Sequence, residues 1–375
     1  MKNYQKIAII YDWFDKWGGV ERVLLCLKEM FPQAVFYTSY YDRTKARWAK
    51  DFKIKTSFID QFPDLIKKSR LLSLVFYPFA FESLDLSEYD LVISVTSSFA
   101  KSVVTRPGTK SICYLLTPTR YLWVDPESYF KNKAIKSIVA PYVKYLKSWD
   151  YITAQRPDNI ISISAAVADR CLKYYKRESE IIFPPFDNEY WSNIKLKIIN
   201  NKSENKTKKS KYYLLVARLE PYKKVDLAIE TFNQLGDNLT IVGTGSQLNS
   251  LKKIAGKNIF FRGQVNDLEL ARLYCQAEAL IMPQNEDFGY VSLESQFFGC
   301  PVIAYKKGGA LETVIEGQTG LFFSSQTVRS LSDTIARFHT LSYNIKDRIS
   351  AISETLVDKF SKDSFKNNIL KIINN

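Results

Sequence analysis

The chain has 375 residues, 46% of them apolar and 14% aromatic, with a formal net charge of +14. That length exceeds one ordinary core, so two domains are expected, and the apolar content excludes a disordered polymer. Cys26, Cys113, Cys171, Cys275 and Cys300 are scattered and form no C-x-x-C pair, which argues against a disulfide framework or a zinc site and fits a reducing cytosol.

Residues 1–14 carry only a short apolar run before Asp12, too little for a signal-peptide core. The longest apolar stretch, residues 71–81, is about half of what a spanning helix requires. A cytoplasmic protein is expected. The positive charge divides almost evenly between the two halves, so no nucleic-acid partner is expected. Locally it concentrates in residues 43–70 and again in 131–147, where lysines stand without an acid.

In chain order, residues 6–11 read as a buried strand. Trp17-Gly18-Gly19-Val20-Glu21-Arg22 reads as a glycine turn opening an amphipathic helix to Met30. Strand, glycine turn and helix begin a Rossmann-like unit. Residues 90–95, 111–115 and 159–164 read as further strands, the last followed by a helix over 165–175. Pro184-Pro185 breaks the chain, and residues 194–211, polar and lysine-rich, read as a linker. The pattern then restarts. Strands are expected at 212–216, 239–242, 259–261 and 279–282, and helices at 225–235 and 291–298. A last helix follows Phe360. The expected fold class is α/β, with two Rossmann-like domains in tandem and a cleft between them.

Glu286 and Glu294 flank Phe288-Gly289, where the chain must turn from the strand at 279–282 into the next helix. This places a carboxylate and a helix start, with its free N–H groups and positive dipole end, at the carboxyl edge of a parallel sheet. A polyol carrying phosphates suits that edge. Arg218 and Lys223 lie five residues apart in the loop after the strand at 212–216 and can converge on one anion. Gly243-Thr244-Gly245 lacks the third glycine of a dinucleotide fingerprint and is read as a structural turn.

E-x7-E with Phe288-Gly289 inside it resembles the donor-site motif of the retaining glycosyltransferases of family 4, which have the GT-B fold. Gly299-Cys300-Pro301-Val302-Ile303-Ala304, Gly308-Gly309-Ala310-Leu311-Glu312-Thr313-Val314-Ile315 and Thr319-Gly320-Leu321-Phe322-Phe323 extend the likeness. The resemblance implies a GT-B architecture. It implies an N-terminal acceptor domain over residues 1–193 and a nucleotide-sugar donor domain over 194–358. A C-terminal helix in 359–375 would cross back to the first domain.

The resemblance also implies roles. Arg218 and Lys223, an R-x4-K element, would bind and stabilise the departing diphosphate; with Glu286, which would hold donor-sugar hydroxyls, they form the catalytic set. Glu294 would hold the ribose. Phe288, Gly289 and Tyr290 would present the helix start to the donor. Gly18 and Gly19 would lie over the donor phosphates, and Gln264 and Val265 beside the base. The implied activity is retaining, metal-independent hexosyl transfer without a cofactor, since no D-x-D string lies at a strand end. The implied donor is a nucleotide sugar, with a lean to GDP-mannose and surface-polysaccharide assembly. The acceptor would be a glycan or a lipid-linked hydroxyl.

Two departures stand out. Cys113-Tyr114-Leu115-Leu116-Thr117-Pro118-Thr119-Arg120-Tyr121-Leu122-Trp123 resembles a family element with His at the fourth position, facing the donor sugar; here it is Leu116. Lys224 stands where the family commonly has Gly. The single histidine, His339, is expected to be a packing or surface residue. A GT-B-fold epimerase relying on His and a non-catalytic sugar-nucleotide binder therefore remain as alternatives. Finally, Ile135, Ile138, Val139, Tyr142, Leu146 and Trp149 recur at helical spacing beside Lys136, Lys144 and Lys147, with Pro141 expected to kink the helix. Such a face is more often core, but relatives with lipid-linked acceptors suggest docking on an anionic membrane surface at its inner face.

Overall fold

The computed structural model describes residues 4–69, 72–129, 133–200 and 211–375; side chains at 128, 129, 133–136 and 350–357 lie outside the described set. The chain divides into two compact units, Met1–Pro185 with Lys362–Asn375, and Phe186–Ser361.

Among the described residues, the first unit holds a seven-stranded sheet. Its strands are β1 (Ile7–Tyr11), β2 (Val35–Thr38), β3 (Lys53–Thr56), β4 (Leu91–Thr96), β5 (Lys110–Leu115), β6 (Asn159–Ser162) and β7 (Glu180–Ile181). They lie in the order β3-β2-β1-β4-β5-β6-β7 and every pairing is parallel. β4 is buried at every residue, as a strand covered on both faces must be. The edge strand β3 exposes Lys53 and Lys55, charges that discourage further strand pairing. The helix Lys362–Asn374 packs on the helix Val20–Met30, with Phe365 edge-on to Tyr114 and the Tyr4 hydroxyl donating to the Ile373 carbonyl at 3.2 Å.

The second unit repeats the plan. Its six-stranded sheet, again counted among the described residues, comprises β8 (Tyr213–Val216), β9 (Leu239–Val242), β10 (Ile259–Gly263), β11 (Leu280–Met282), β12 (Val302–Tyr305) and β13 (Gly320–Phe323). The order is β10-β9-β8-β11-β12-β13, all parallel. Numbered from its own first strand, each sheet begins 3-2-1-4-5-6, the doubly wound arrangement. The order reverses between β1 and β4 and between β8 and β11, and ligands of such sheets bind at the carboxyl ends beside the reversal. His339 lies on the helix Val328–Asp358 as an exposed residue whose Nε2 is 2.9 Å from the Tyr213 hydroxyl, a surface position.

Three expectations change. Residues 188–200 are a helix, Asn188–Asn200, with Trp191 and Ile194 buried, because apolar side chains recur on one face despite the polar surroundings. The expected linker thus begins inside this helix, its residues 201–210 lie outside the described residues, and the expected boundary at 193 also falls inside the helix, whereas the units divide between Pro185 and Phe186. Residues 133–153 form the helix Lys133–Thr153 with Pro141 inside it. Its Leu146 and Trp149 pack into the core, whereas Ile138, Tyr145 and Ile152, spaced by seven, are exposed. The apolar positions are therefore two stripes, one inward and one outward. The side chains of Ile135 and Lys136, and residues Arg70 and Leu71, lie outside the described residues.

Candidate active site

The two strands flanking the reversal in the second unit end in the loops that carry the expected residues. β8 leads through Arg218 and Lys223 to the helix Val225–Leu235. β11 leads through Glu286 and Phe288 to the helix Tyr290–Phe297. The Lys223 ammonium donates to Oε1 of Glu286, with the two side chains only 11% and 17% exposed. The Gln284 amide nitrogen donates to the same oxygen at 2.8 Å. Burial pushes the Glu286 pKa up; the Lys223 ammonium and the Gln284 amide outweigh it, leaving the carboxyl below its ordinary value and ionised.

Arg218 is exposed and donates to the Tyr222 hydroxyl at 2.7 Å, while the Lys223 ammonium lies 5.1 Å from the centroid of the same ring. One aromatic ring thus touches both cations, a cation–π contact for the lysine and a hydrogen bond for the arginine. Tyr222 and Gln284 are the site residues that sequence reasoning missed. Their signals are slight: an aromatic inside R-x4-K, and an amide directly after the buried β11 strand.

Glycines bring the loops together. A Cβ on Gly308 would stand 2.2 Å from the Glu286 carbonyl oxygen, and one on Gly309 would stand 2.3 Å from Phe288 Cα. The Gly309 N–H donates to the Glu286 carbonyl at 2.8 Å. Gly289, at φ +90°, opens the helix Tyr290–Phe297 and brings no side chain of its own to the helix start. The Gly243-Thr244-Gly245 turn is structural: a Cβ on Gly243 would stand 1.9 Å from the Ala217 carbonyl oxygen in the loop bearing Arg218.

The remaining positions are dispersed. Glu294 is inside the helix, 4% exposed, and accepts from the Tyr274 hydroxyl at 3.2 Å. Gln264 is exposed and Val265 half-buried after β10, at the same sheet edge, ahead of the helix Asp267–Gln276 that Asn266 caps. In the first unit, Gly18 and Gly19 follow β1, on the carboxyl side of its own reversal. Neither has a positive φ, and a Cβ on Gly18 would meet nothing closer than Oε2 of Glu21 at 3.4 Å. A tight turn therefore does not explain these glycines. The Gly18 N–H donates to Glu21 at 2.6 Å, and burial pushes the Glu21 pKa up to about 7, against the bonds from its own N–H and that of Gly18.

Leu116 is half-buried directly after β5, and its N–H donates to the Thr96 carbonyl at 2.8 Å. Downstream, Arg120–Val124 is a π-helical turn, a form frequent at functional sites. The fully buried Asp150 fixes this segment by accepting from Lys101 (2.5 Å), Trp123 (2.7 Å), Tyr175 (2.8 Å) and Thr119 (3.0 Å). Among the described residues, no cluster of His, Cys, Asp or Glu could hold a metal ion, and no helix is long and apolar enough to cross a membrane.

Residues 197–374, which include Arg218, Lys223 and Glu286, match the family model "Glycosyl transferases group 1". An uncharacterized 41.2 kDa protein of the cps region of Klebsiella pneumoniae is 28% identical over 48% of this chain and 50% of its own length. The GDP-mannose-dependent α-(1-6)-phosphatidylinositol monomannoside mannosyltransferase of Mycobacterium tuberculosis is 32% identical over 32% of this chain and 36% of its own. The chain thus spans about half, or less, of the length of these curated relatives. Among solved structures, Anabaena HepE in complex with UDP-glucose superposes with a TM-score of 0.68 at 18% identity, covering 99% of this chain and 100% of that one. The fold is that of the GT-B glycosyltransferases, with two parallel-sheet Rossmann-like domains.

Proposed function

We propose that the chain is a retaining glycosyltransferase of family 4 that moves a sugar from a nucleotide-diphosphate donor to a hydroxyl of a glycan or lipid-linked acceptor. The observation that carries this reading is the meeting of Lys223 and Glu286 from the carboxyl ends of the two strands beside the sheet reversal. A cation for phosphate and a carboxylate for sugar hydroxyls stand side by side at one sheet edge, as the neighbouring phosphate and hydroxyl groups of a sugar diphosphate require.

The bond between the anomeric carbon and the diphosphate must break through an oxocarbenium-like state. Stabilising the departing charge is then the main task. Lys223, Arg218 and the start of the helix Tyr290–Phe297 supply positive charge and N–H donors for it. Glu286, held ionised, accepts from donor-sugar hydroxyls; Glu294 takes the ribose, and Gln264 and Val265 flank the base. Gly18 and Gly19 let phosphates approach a bare backbone. No metal or cofactor is required by this scheme. Mannose from GDP-mannose is the favoured donor, in keeping with the mannosyltransferase among the relatives.

Leu116 favours one second reading, a relative that binds sugar nucleotides without turnover, because an apolar side chain cannot replace an imidazole hydrogen bond. For location, we favour the cytoplasmic side with peripheral docking on anionic lipid. The outward stripe Ile138, Tyr145 and Ile152 lies on the same helix as Lys144 and Lys147, and Leu72, Val75 and Phe79 are exposed nearby in sequence to Lys67 and Lys68. A thermal-shift screen against nucleotide sugars and free nucleoside diphosphates tests the function directly. Stabilisation by one base, stronger with Lys223 intact than in Lys223→Ala, supports it; no response to any nucleotide refutes it.

A further inference from the structure

We infer that Gln284 is a positioning residue for Glu286: its amide fixes Oε1 of the carboxylate so that Oε2 alone is presented to the donor sugar. The inference rests on the glycosyltransferase reading and deepens it by naming what orients the sugar-binding group.

Gln284 follows Pro283 at the end of β11 and is 3% exposed. Its amide nitrogen donates to Glu286 Oε1 at 2.8 Å, yet its amide oxygen is buried with no hydrogen-bond partner. A buried polar oxygen left unpaired costs stability. An apolar side chain of the same length would avoid that cost, so the fold gains little from glutamine here. What the amide does supply is a directional N–H to the carboxylate. The Asn285 side-chain oxygen is likewise buried without a partner. Two consecutive polar residues with unpartnered side-chain oxygens immediately before Glu286 mark a segment shaped for that carboxylate rather than for stability.

The geometry separates the two donors on Glu286. Lys223 is a compact charge on a flexible stem and sets no orientation for the carboxylate plane. In the proposed cycle its ammonium is also drawn toward the diphosphate. The Gln284 amide has a preferred N–H direction and no competing phosphate role. Both donors act on Oε1, and Oε2 receives no hydrogen bond from the described residues, so it is the oxygen available to sugar hydroxyls.

Calorimetry with Gln284→Met and Gln284→Glu tests this, reading affinity for the nucleoside diphosphate and for the corresponding nucleotide sugar separately. Gln284→Met should leave diphosphate affinity within about twofold of wild type and the melting temperature unchanged or higher. The extra affinity that the sugar confers should fall about tenfold, the cost of one lost charged hydrogen bond. Gln284→Glu, which keeps the volume, should show the same selective loss at neutral pH and partial recovery as the pH falls and the new carboxyl takes a proton. A merely structural role would lower stability and weaken both ligands alike. Equal affinities to wild type for both ligands, or equal loss of both, overturns the inference while leaving the transferase reading intact. Wild-type protein that binds no nucleoside diphosphate overturns both.

Discussion

Lys223 and Glu286 lie 63 residues apart in the chain and donate and accept one hydrogen bond across the gap between β8 and β11. Neither side chain could be exchanged without stranding the other, since removing one partner of a largely buried pair leaves an uncompensated charge. Lys223→Ala should therefore raise the Glu286 pKa as well as remove the phosphate cation. We expect a hundredfold or so lower turnover for Lys223→Ala and for Arg218→Ala, roughly 3 kcal/mol of leaving-group stabilisation each. Steady-state kinetics on both variants, with circular dichroism as a check on folding, measures this; near-wild-type rates in both would remove the diphosphate assignment.

The carboxylates should separate by ligand. Glu286→Gln is expected to reduce transfer while sparing affinity for the bare nucleoside diphosphate. Glu294→Gln should weaken that affinity, because the proposed ribose contact is lost. Titration with the diphosphate alone distinguishes them, and equal losses would contradict the division of roles.

Glu21 gives a pH dependence with a definite sign. Its folded pKa is raised from 4.5 to about 7, so the folded state holds the proton more tightly than the unfolded chain does. Stability from this group is fully present below about pH 4.5 and is lost as the pH rises to about 7. The change amounts to about 3 kcal/mol at 1.36 kcal/mol per unit. Glu21→Gln should flatten this slope and stabilise the protein at pH 8. Denaturant titrations between pH 4.5 and 8 report it, and an unchanged slope in the variant would place the titration elsewhere.

Lys224 adopts φ +52°, a left-handed conformation that costs a side chain about 1 kcal/mol and that glycine adopts freely. Lys224→Gly should therefore stabilise the second unit by about 1 kcal/mol, measured as a higher denaturation midpoint. A loss of stability would mean that the lysine side chain contributes more than its backbone costs.

For membrane docking, vesicle co-sedimentation should show binding to anionic but not zwitterionic lipid, weakening with salt. Lys144→Glu with Lys147→Glu should reduce it, each lysine being worth about 1 kcal/mol near the surface. Ile138→Ser with Ile152→Ser should reduce it further. Identical behaviour on both lipids would leave the outward stripe without a membrane role.

The sequence was most legible where one physical signal dominated. Continuous apolar runs gave β1, β4, β5, β9 and β11 to within a residue or so, and the Gly and Pro breaks around 184 and 299 bounded their units. β2, β3, β12 and β13 were not read as strands. Each is four residues long, and two of them carry Lys or Gly where a strand signal is sought. At the candidate site, the strand-to-helix loops that bring Lys223 and Glu286 into contact were legible in the sequence, while the roles proposed for Arg218, Lys223 and Glu286 come from the family resemblance. Tyr222 and Gln284 were not legible, because their contacts arise from a ring touching two cations and an amide reaching forward two residues. Spacing does not encode those contacts. The inward and outward stripes of Lys133–Thr153 were likewise merged in the sequence, since only packing decides which turn of a helix meets the core.

The central claim is tested most directly by following free nucleoside diphosphate while a lipid-linked or glycan acceptor is added to protein and nucleotide sugar. The account predicts release that starts only on addition of acceptor, a product with the donor's anomeric configuration, and loss of release in Lys223→Ala. Bound nucleotide sugar with no release on any acceptor, from wild-type protein, would contradict it and favour the non-catalytic binder that Leu116 suggests.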